Sequence, residues 1–201
     1  MDNNEEARNE NREKKHEKKQ ESTTKKIIDI LSTVLIAAVI ALLLNKFVFS
    51  LIEVNMTSMY PTVNNSDVVF LNKTAYWFGG PESGDIIVFE REQSNDSQTK
   101  NYIKRVIGVP GDTIEITNGN VYRNGVLLDE PYLIVTTNGS YHITVPENKY
   151  FVLGDNRTVS IDSRSPSIGF VDKSEILGRV VFKTKPFGTI PKYKHDYADV
   201  K

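Results

Sequence analysis

The sequence predicts a mainly β protein, in which an antiparallel, β-rich domain follows one N-terminal transmembrane helix. Two observations lead to this fold class. Residues 27–49 form an almost uninterrupted apolar run, and residues 50–201 contain short β-branched and aromatic segments separated by turn residues, with little helical periodicity. The length of 201 residues suits one medium-sized domain with appendages.

The overall composition excludes several kinds of site. The chain contains 25 Lys and Arg residues, 26 Asp and Glu residues and no cysteine. Because the net charge is close to zero, we expect no nucleic-acid partner. The lack of cysteine excludes a disulfide framework, a thiolate metal site and a cysteine nucleophile. The sequence contains no cluster of metal ligands and no phosphate-binding glycine loop, so we expect no metal and no cofactor, and nothing indicates an oligomer.

Residues 1–26 are almost wholly charged or polar, and residues 27–49 are apolar. The first segment cannot bury enough apolar surface to offset its ordering entropy, so we expect a charged tail that is disordered or loosely helical. The second is long enough to cross a bilayer core of about 30 Å. No small-x-small cleavage pattern follows it, which favours an uncleaved anchor over a removable signal sequence.

The distribution of basic residues predicts the orientation of this anchor. Eight Lys and Arg residues precede the apolar run, whereas Lys46 alone lies just after its uncharged centre. The positive-inside rule therefore predicts a single-pass protein of the cell membrane with a cytoplasmic N-terminus. Residues 50–201 would then form an extracytoplasmic domain.

Turn residues divide the segment after the anchor into short strands. Asn-Gly pairs at residues 118–119 and 124–125 lie between alternating segments, which is a strong signal for tight hairpins. We therefore expect a three-stranded meander over residues 113–129, inside a smaller β insertion that covers residues 113–148. The polar, turn-rich segment 91–100 is predicted to be a loop.

The stretch EVNMTSMYPTV, residues 53–63, places an isolated serine, Ser58, shortly after the membrane segment. A serine hydroxyl is a poor nucleophile until a base takes its proton. The three histidines are poorly placed for this: His16 lies in the charged tail, His142 in a predicted strand and His195 in the C-terminal tail. A histidine-based triad is therefore poorly supported, and no GxSxG motif is present.

Lysine can replace histidine as the base if desolvation lowers its pKa sufficiently. Lys104 lies in a predicted strand, where alternation places Tyr102 and Val106 on its own face and Ile103 and Arg105 on the other. A lysine in a strand is more often a surface residue. The strand pattern alone therefore does not distinguish a base from a surface side chain.

Four segments, taken together and in this order, resemble the type I signal peptidases (leader peptidases) in their short Gram-positive form. They are TSMYPTV (57–63), GDIIVF (84–89), YIKRVIGVPGD (102–112) and GDNRTVSIDSR (154–164). The last segment alone is typical of a solvated polar turn. All four in order behind an N-terminal anchor are specific to this family, and the resemblance extends to about residue 187.

The resemblance implies a membrane-bound serine endopeptidase that removes N-terminal signal peptides from exported precursor proteins. It implies cleavage after small-x-small (Ala-x-Ala type) sites through an acyl-enzyme, with secretory preproteins and the lipid bilayer as partners. Ser58 would be the nucleophile, Lys104 the general base, and the Ser58 N–H one oxyanion donor. Ser160 would orient the lysine amine.

Further residues receive supporting roles from the same resemblance. The charged residues implied to brace the site are Asp155, Arg157, Asp162 and Arg164. The residues implied to line shallow apolar substrate pockets are Val54, Met59, Val63, Tyr102 and Ile103.

Two departures and two alternatives remain at this stage. Some family members have a serine as an oxyanion donor two residues before the nucleophile, where this chain has Met56. The stretch RSPSIGFV is also slightly longer than in relatives.

One alternative function is that of a non-catalytic, membrane-tethered paralogue that binds signal peptides without cutting them. The other is a self-cleaving repressor-type protease, which would instead have an N-terminal helix-turn-helix domain and no anchor.

Overall fold

The computed structural model describes residues 3–93 and 96–190. The chain divides into two compact units, Met1–Lys46 and Phe47–Lys201. One N-terminal helix precedes a body of antiparallel strands, so the fold class predicted from the sequence is confirmed.

Helix α1 runs from Asn3 to Phe47. Its segment Lys25–Phe47 has a mean hydropathy of 2.8 and is long and apolar enough to cross a membrane. The helix also includes most of the polar segment for which we expected disorder or loose helicity. Glu, Lys, Arg, Gln and Ala have high helix propensity, and adding residues to an existing helix avoids the cost of nucleation.

The second unit contains twelve strands among the described residues, and all paired strands are antiparallel. In chain order the strands are β1 (Phe49–Glu53), β2 (Val68–Asn72), β3 (Ile86–Gln93), β4 (Asp96–Gly108), β5 (Thr113–Thr117), β6 (Asn120–Arg123), β7 (Val126–Leu127), β8 (Tyr141–Thr144), β9 (Lys149–Leu153), β10 (Val171–Asp172), β11 (Ile176–Lys185) and β12 (Phe187–Thr189). The larger sheet has the order β1-β2-β11-β3-β4-β9-β10, with β12 paired to β11, and the smaller sheet has the order β7-β6-β5-β8.

The smaller sheet contains the meander predicted from the Asn-Gly pairs. Asn118 and Asn124 have positive φ angles of 50° and 52°, as tight hairpin turns require, and each is followed by a glycine. Strand β8 then joins β5 on the side opposite β6. All four strands lie within residues 113–148.

The prediction of a loop over residues 91–100 is wrong for residues 91–93 and 96–100, which lie in strands, and residues 94–95 lie outside the described residues. Strands β3 and β4 continue as a long hairpin through this polar segment, with Arg91 paired to Lys100 and Glu92 to Thr99. Main-chain hydrogen bonds of a hairpin do not depend on side-chain polarity, so the ladder extends beyond the apolar core. A polar composition therefore did not mark the end of the strands here.

Strand β4 pairs with β3 on one side and β9 on the other. Its side chains enter three hydrophobic clusters, with Ile103 in the first, Ile107 in the second and Val106 in the third. A polar side chain in this stretch is therefore enclosed by strands and apolar clusters. Lys104 lies there with only 1% of its surface exposed.

Candidate active site

Ser58 lies in the turn-rich segment between β1 and β2. The segment folds back on itself, because the Val63 N–H donates to the Met59 carbonyl (2.9 Å) and the Ser66 N–H donates to the Val54 carbonyl (2.7 Å). The side chains of Val54, Met59 and Val63 are buried in the first hydrophobic cluster. These contacts hold Ser58 at the edge of the core, with 8% of its surface exposed.

The amine of Lys104 reaches the hydroxyl of Ser58. The distance from Lys104 Nζ to Ser58 Oγ is 2.7 Å, and Nζ also donates to the Ile103 carbonyl (3.0 Å). The same nitrogen lies 5.8 Å from the centroid of the Tyr102 ring. The two predicted reacting groups, 46 residues apart in sequence, are thus in direct contact.

Burial lowers the pKa of Lys104 from its ordinary value of 10.5 to about 8, although the nearby Asp162 and Asp155 act in the opposite direction. Desolvation disfavours the charged ammonium, and here its effect exceeds that of both carboxylates. A substantial fraction of the amine is therefore neutral at mildly alkaline pH. A neutral amine at this distance can accept the hydroxyl proton.

A second polar residue on β4, Arg105, was not among the predicted site residues. It donates two hydrogen bonds to Asp155, Nε to Oδ1 (2.9 Å) and Nη2 to Oδ2 (2.7 Å), and Nη1 donates to the Gly84 carbonyl (3.1 Å). Neither Arg105 nor Asp155 has an exposed side chain, and Thr62 donates to the same carboxylate (2.5 Å). This buried pair joins β4 to the polar turn that follows β9, residues 154–164.

Asp162 anchors the other end of that turn. Arg164 donates to it through Nε (2.8 Å) and Nη2 (2.9 Å), and so does the Gly154 N–H (3.0 Å). Burial acts to raise the pKa of the Asp162 carboxyl, but the Arg164 and Gly154 hydrogen bonds outweigh it and hold this pKa below its usual value. The carboxylate therefore stays ionised near Lys104.

Arg157 connects the turn to the segment before β8. It donates to the Gly154 carbonyl (2.9 Å), and its buried guanidinium pairs with Glu130 (2.5 Å) and donates to Thr137. The sequence reasoning did not identify Glu130 or Thr137. Both lie in an irregular stretch without a motif, so only their contacts with Arg157 reveal them.

The turn also packs directly against the nucleophile segment. The Asn156 N–H donates to the Ser58 carbonyl (2.9 Å), and Asn156 Nδ2 donates to the Thr57 carbonyl (3.2 Å). A Cβ at Gly154 would collide with Ser160 Oγ and with the Ser58 carbonyl, so this position requires glycine. Asn156 was not predicted as a site residue, although it lies within one of the four recognised segments.

Ser160 lies in this packed region, next to Gly154. Its Oγ is buried and forms no hydrogen bond of normal geometry among the residues that the structure describes, although it lies near enough to the Asp162 carboxylate to help lower the pKa of that carboxyl. The expected hydrogen bond to Lys104 is thus not formed, and the orienting role of Ser160 stays a prediction.

A groove with a volume of about 250 Å³ lies between residues 52–56 and residues 100–103, the segments that precede Ser58 and Lys104 in the chain. Three of the five predicted substrate-binding residues, Val54, Tyr102 and Ile103, line it. Met59 and Val63 do not, because both are fully buried in the hydrophobic core. The groove is also lined by Ile52, Glu53, Asn55, Met56, Val69, Val88, Lys100 and Asn101.

The histidines are not part of this site in the described structure. His142 is exposed on β8, with Nδ1 3.9 Å from the Glu115 carboxylate on β5. His195 and the side chain of His16 lie outside the described residues.

Comparisons with known proteins show the family to which the chain belongs. Residues 27–184 match the family model described as signal peptidase, peptidase S26. Signal peptidase I S of Bacillus subtilis (strain 168) is 40% identical over 173 residues, covering 80% of this chain and 90% of that protein. Signal peptidase IB of Staphylococcus aureus (strain COL) is 35% identical over 184 residues, covering 82% and 91%.

A crystal structure of a signal peptidase I from Enterococcus faecalis V583 is 36% identical, with a TM-score of 0.41, and the match covers 49% of this chain and 95% of that one. The family model and the curated relatives place the chain in the class of serine peptidases. The chain belongs to the signal peptidase family, peptidase S26. The resemblance inferred from the four segments is therefore confirmed.

Proposed function

We propose that this protein removes N-terminal signal peptides from exported precursors, with Ser58 as the nucleophile and Lys104 as the general base. The observation that carries this proposal is the 2.7 Å contact between Ser58 Oγ and the buried Lys104 amine, whose pKa is lowered to about 8. At a pH of about 8, an ordinary surface lysine would be almost fully protonated and could not act as a base.

The proposed reaction has two halves. In the first, the neutral Lys104 amine takes the Ser58 hydroxyl proton while Oγ attacks the scissile carbonyl carbon. The ammonium then gives this proton to the leaving nitrogen, the C–N bond breaks, and an ester to Ser58 remains. In the second half, Lys104 takes a proton from water while the water oxygen attacks the ester carbon. The C–Oγ bond then breaks, the new C-terminal carboxyl group of the signal peptide is released, and the Lys104 ammonium returns the proton to Ser58 Oγ.

The oxyanion formed in each half needs a hydrogen-bond donor. The Met56 side chain has no donor group, and it packs against the first hydrophobic cluster. The Ser58 N–H accordingly becomes the main protein donor in this proposal. Within the described part of the chain this N–H has no acceptor of its own, which supports the assignment.

The groove supports a preference for small-x-small sites. A volume of about 250 Å³ bordered by Val54, Val88 and Ile103 suits short apolar side chains. An extended substrate lying along residues 53–56 or residues 101–103 would form main-chain hydrogen bonds, while the pockets select alternate side chains. This arrangement supports the proposed cleavage after Ala-x-Ala sequences.

The segment Lys25–Phe47 would anchor the enzyme in the cell membrane, with the basic residues before it in the cytoplasm. Residues 50–201 would then be extracytoplasmic, and residues 113–148 would form the smaller β insertion. Secretory precursors would meet the site as they leave the bilayer.

The test uses full-length protein in detergent and a precursor with an Ala-x-Ala site, followed by mass spectrometry. We expect a single cut after the second alanine. Ser58→Ala and Lys104→Ala should each lower the rate by at least about 10³-fold, because the two groups act as one unit. Ser174→Ala and Lys149→Ala, at surface positions, serve as matched controls.

Retained cleavage in a folded Lys104→Ala protein would contradict the lysine base. A wild-type protein that retains the precursor without cutting it would instead be the non-catalytic, signal-peptide-binding paralogue. The contact between Ser58 and Lys104 favours the enzyme, because a protein that only binds has no need of a buried amine.

A further inference from the structure

Two aromatic side chains project from the turn that follows β2. We call residues 73–80 the aromatic loop. Within it, Trp77 is 63% exposed and Phe78 is 102% exposed, which makes Phe78 the most exposed large apolar residue described in the chain. Two adjacent aromatic rings in water are unfavourable, so this pair requires an explanation.

The exposure of these rings is not the result of a loosely held loop. At its start, the Asn72 side chain accepts hydrogen bonds from the Thr74 N–H and hydroxyl, both 2.9 Å. Just before the rings, the Tyr76 hydroxyl donates to Asp85 (3.0 Å). The root of the loop is therefore fixed, and its rings are held away from the core.

The aromatic loop lies at the end of the β unit where the chain emerges from its apolar segment. Phe47 is the last residue of that segment, and the next residue, Val48, accepts a hydrogen bond from the Lys73 N–H (2.9 Å). Since β2 is antiparallel to β1, the chain that leaves β2 continues back past the first residue of β1. The loop therefore begins within a few ångströms of the end of the apolar segment.

We propose that Trp77 and Phe78 insert into the interfacial region of the lipid bilayer. This inference rests on the proposed role of residues 25–47 as a membrane anchor. Tryptophan is enriched at the membrane interface, because its ring is apolar and its indole N–H can still reach polar groups. A lipid surface is the favoured partner because the start of the loop is tied to Val48, next to the end of the anchor.

Such insertion gives the β unit a second attachment to the membrane besides its covalent link to the helix. Two attachments restrict the orientations available to the unit, so the groove faces precursors in a more uniform way. The prediction concerns orientation and membrane contact, and it does not depend on the chemistry at Ser58.

Trp77 is the sole tryptophan of the sequence, so its fluorescence reports on the aromatic loop alone. The full-length protein would be reconstituted in vesicles of phosphatidylglycerol and phosphatidylcholine, with part of the phosphatidylcholine brominated near the headgroup end of its acyl chains. We expect the brominated lipid to quench most of the emission, and aqueous iodide to quench little. Phe78→Ser should partly restore quenching by iodide.

A reference variant separates the loop from the anchor. Leu35→Trp, combined with Trp77→Phe, places the fluorophore in the middle of the apolar segment. Quenching of both fluorophores by brominated lipid supports the proposal. If only the Leu35→Trp fluorophore is quenched, the anchor stands and the loop proposal is overturned. If neither is quenched, both are overturned.

A protein partner gives another distinct result. In that case, brominated lipid would not quench the emission of Trp77, and the emission wavelength would shift only when a precursor is added. This result would also overturn the lipid assignment.

The contacts of Asn156 support a second, independent inference, which rests on the proposed reaction of Ser58. They assign Asn156 a positioning role at the nucleophile. We infer that Asn156 fixes the Thr57–Ser58 peptide, whose N–H is the proposed oxyanion donor. Asn156 Nδ2 donates to the Thr57 carbonyl on the opposite side of this same peptide (3.2 Å). Thr158 donates to Asn156 Oδ1 (3.0 Å). This hydrogen bond fixes the orientation of the side-chain amide, so that its nitrogen faces the Thr57 carbonyl.

A peptide whose carbonyl accepts a hydrogen bond has a more strongly polarised N–H and less freedom to rotate. Two donors hold the Thr57 carbonyl, namely Asn156 Nδ2 and the Tyr60 N–H (3.2 Å). Asn156→Asp is nearly isosteric but replaces one donor with a repelling oxygen. It should therefore weaken stabilisation of the oxyanion while leaving the groove unchanged.

We expect Asn156→Asp to lower kcat by at least about ten-fold, less than the 10²–10³-fold typical for loss of a direct oxyanion donor, with little change in KM. Thr158→Val, which keeps the Nδ2 donor, should have a smaller effect. A peptide aldehyde, which Ser58 converts into a tetrahedral adduct, should bind Asn156→Asp less tightly in parallel with kcat. The matching peptide alcohol, which forms no adduct, should bind equally well.

Equal loss of affinity for the aldehyde and the alcohol would show a structural defect and overturn the positioning role. An unchanged kcat would overturn it as well. If the wild-type protein forms no aldehyde adduct and cuts no precursor, the proposed reaction itself fails, and with it this inference.

Discussion

Lys104 lies in an unfavourable environment for a charged group, because only 1% of its surface is exposed. Burial lowers its pKa to about 8, against two carboxylates that act in the opposite direction. In the sequence, Lys104 lies between apolar residues on a predicted strand, and many surface lysines have the same sequence pattern. What distinguishes Lys104 is that strands and side chains cover it from every side, and this follows only from long-range packing.

A lysine buried for catalysis should destabilise the fold at neutral pH. Below pH 8 the amine is charged in both states, so the native state bears the full cost of burial, about 3 kcal/mol for the lowering of the pKa from 10.5 to about 8. Lys104→Met should therefore raise the free energy of unfolding at pH 7 by up to about that amount. The gain should shrink as pH rises from 8 to 10.5, because the native amine loses its proton first.

Denaturant unfolding of the full-length protein in detergent at several pH values measures this difference. Lys173→Met, at an exposed position, should leave the stability almost unchanged at every pH. A Lys104→Met protein that is less stable than the wild type at pH 7 would contradict the burial cost.

Strand β4 connects the reacting groups to their support. Adjacent residues on it, Lys104 and Arg105, contact Ser58 and Asp155 respectively. One strand therefore fixes both the proposed base and the turn after β9. An error in the position of this strand would disturb both contacts.

Asp155→Asn should destabilise the fold strongly, because it replaces the carboxylate that accepts two hydrogen bonds from the fully buried Arg105 guanidinium with a neutral amide. Removing one partner of a buried ion pair costs about 3–5 kcal/mol. Lys149→Gln, which breaks the half-exposed Lys149–Asp172 pair, is the comparison and should have little effect. Thermal unfolding of both variants measures the difference, and equal effects would contradict the supporting role of the buried pair.

At the same scale, sequence patterns predicted local structure better than long-range contacts. The Asn-Gly pairs predicted the hairpins of the smaller sheet, because this dipeptide fits the backbone of tight turns. Polar composition wrongly predicted a loop where β3 and β4 continue. The partners of Arg105 and Arg157 lie 50 and 27 residues away, and no periodicity relates them.

At the scale of the whole molecule, the chain combines an apolar helix with a β unit that carries a proteolytic site. The order of four short segments identified the family from sequence, because each contributes one part of a site that only the folded chain assembles. The geometry adds the direct contact between base and nucleophile, the tie from Asn156 to the nucleophile segment, and the exposed aromatic loop. The positions of Met59 and Val63 in the core, away from the groove, also required the structure.

The pH dependence of kcat/KM tests the central claim most directly, since it reports the ionisation of the free enzyme. The full-length protein in detergent would cleave a peptide with a small-x-small site, between about pH 6 and about pH 10. Because only the neutral amine can take the Ser58 proton, we predict a rise of about ten-fold per pH unit below the pKa of Lys104. We predict that the rise levels off above an inflection near pH 8. An inflection near pH 6.5, the ordinary pKa of histidine, would contradict the lysine base.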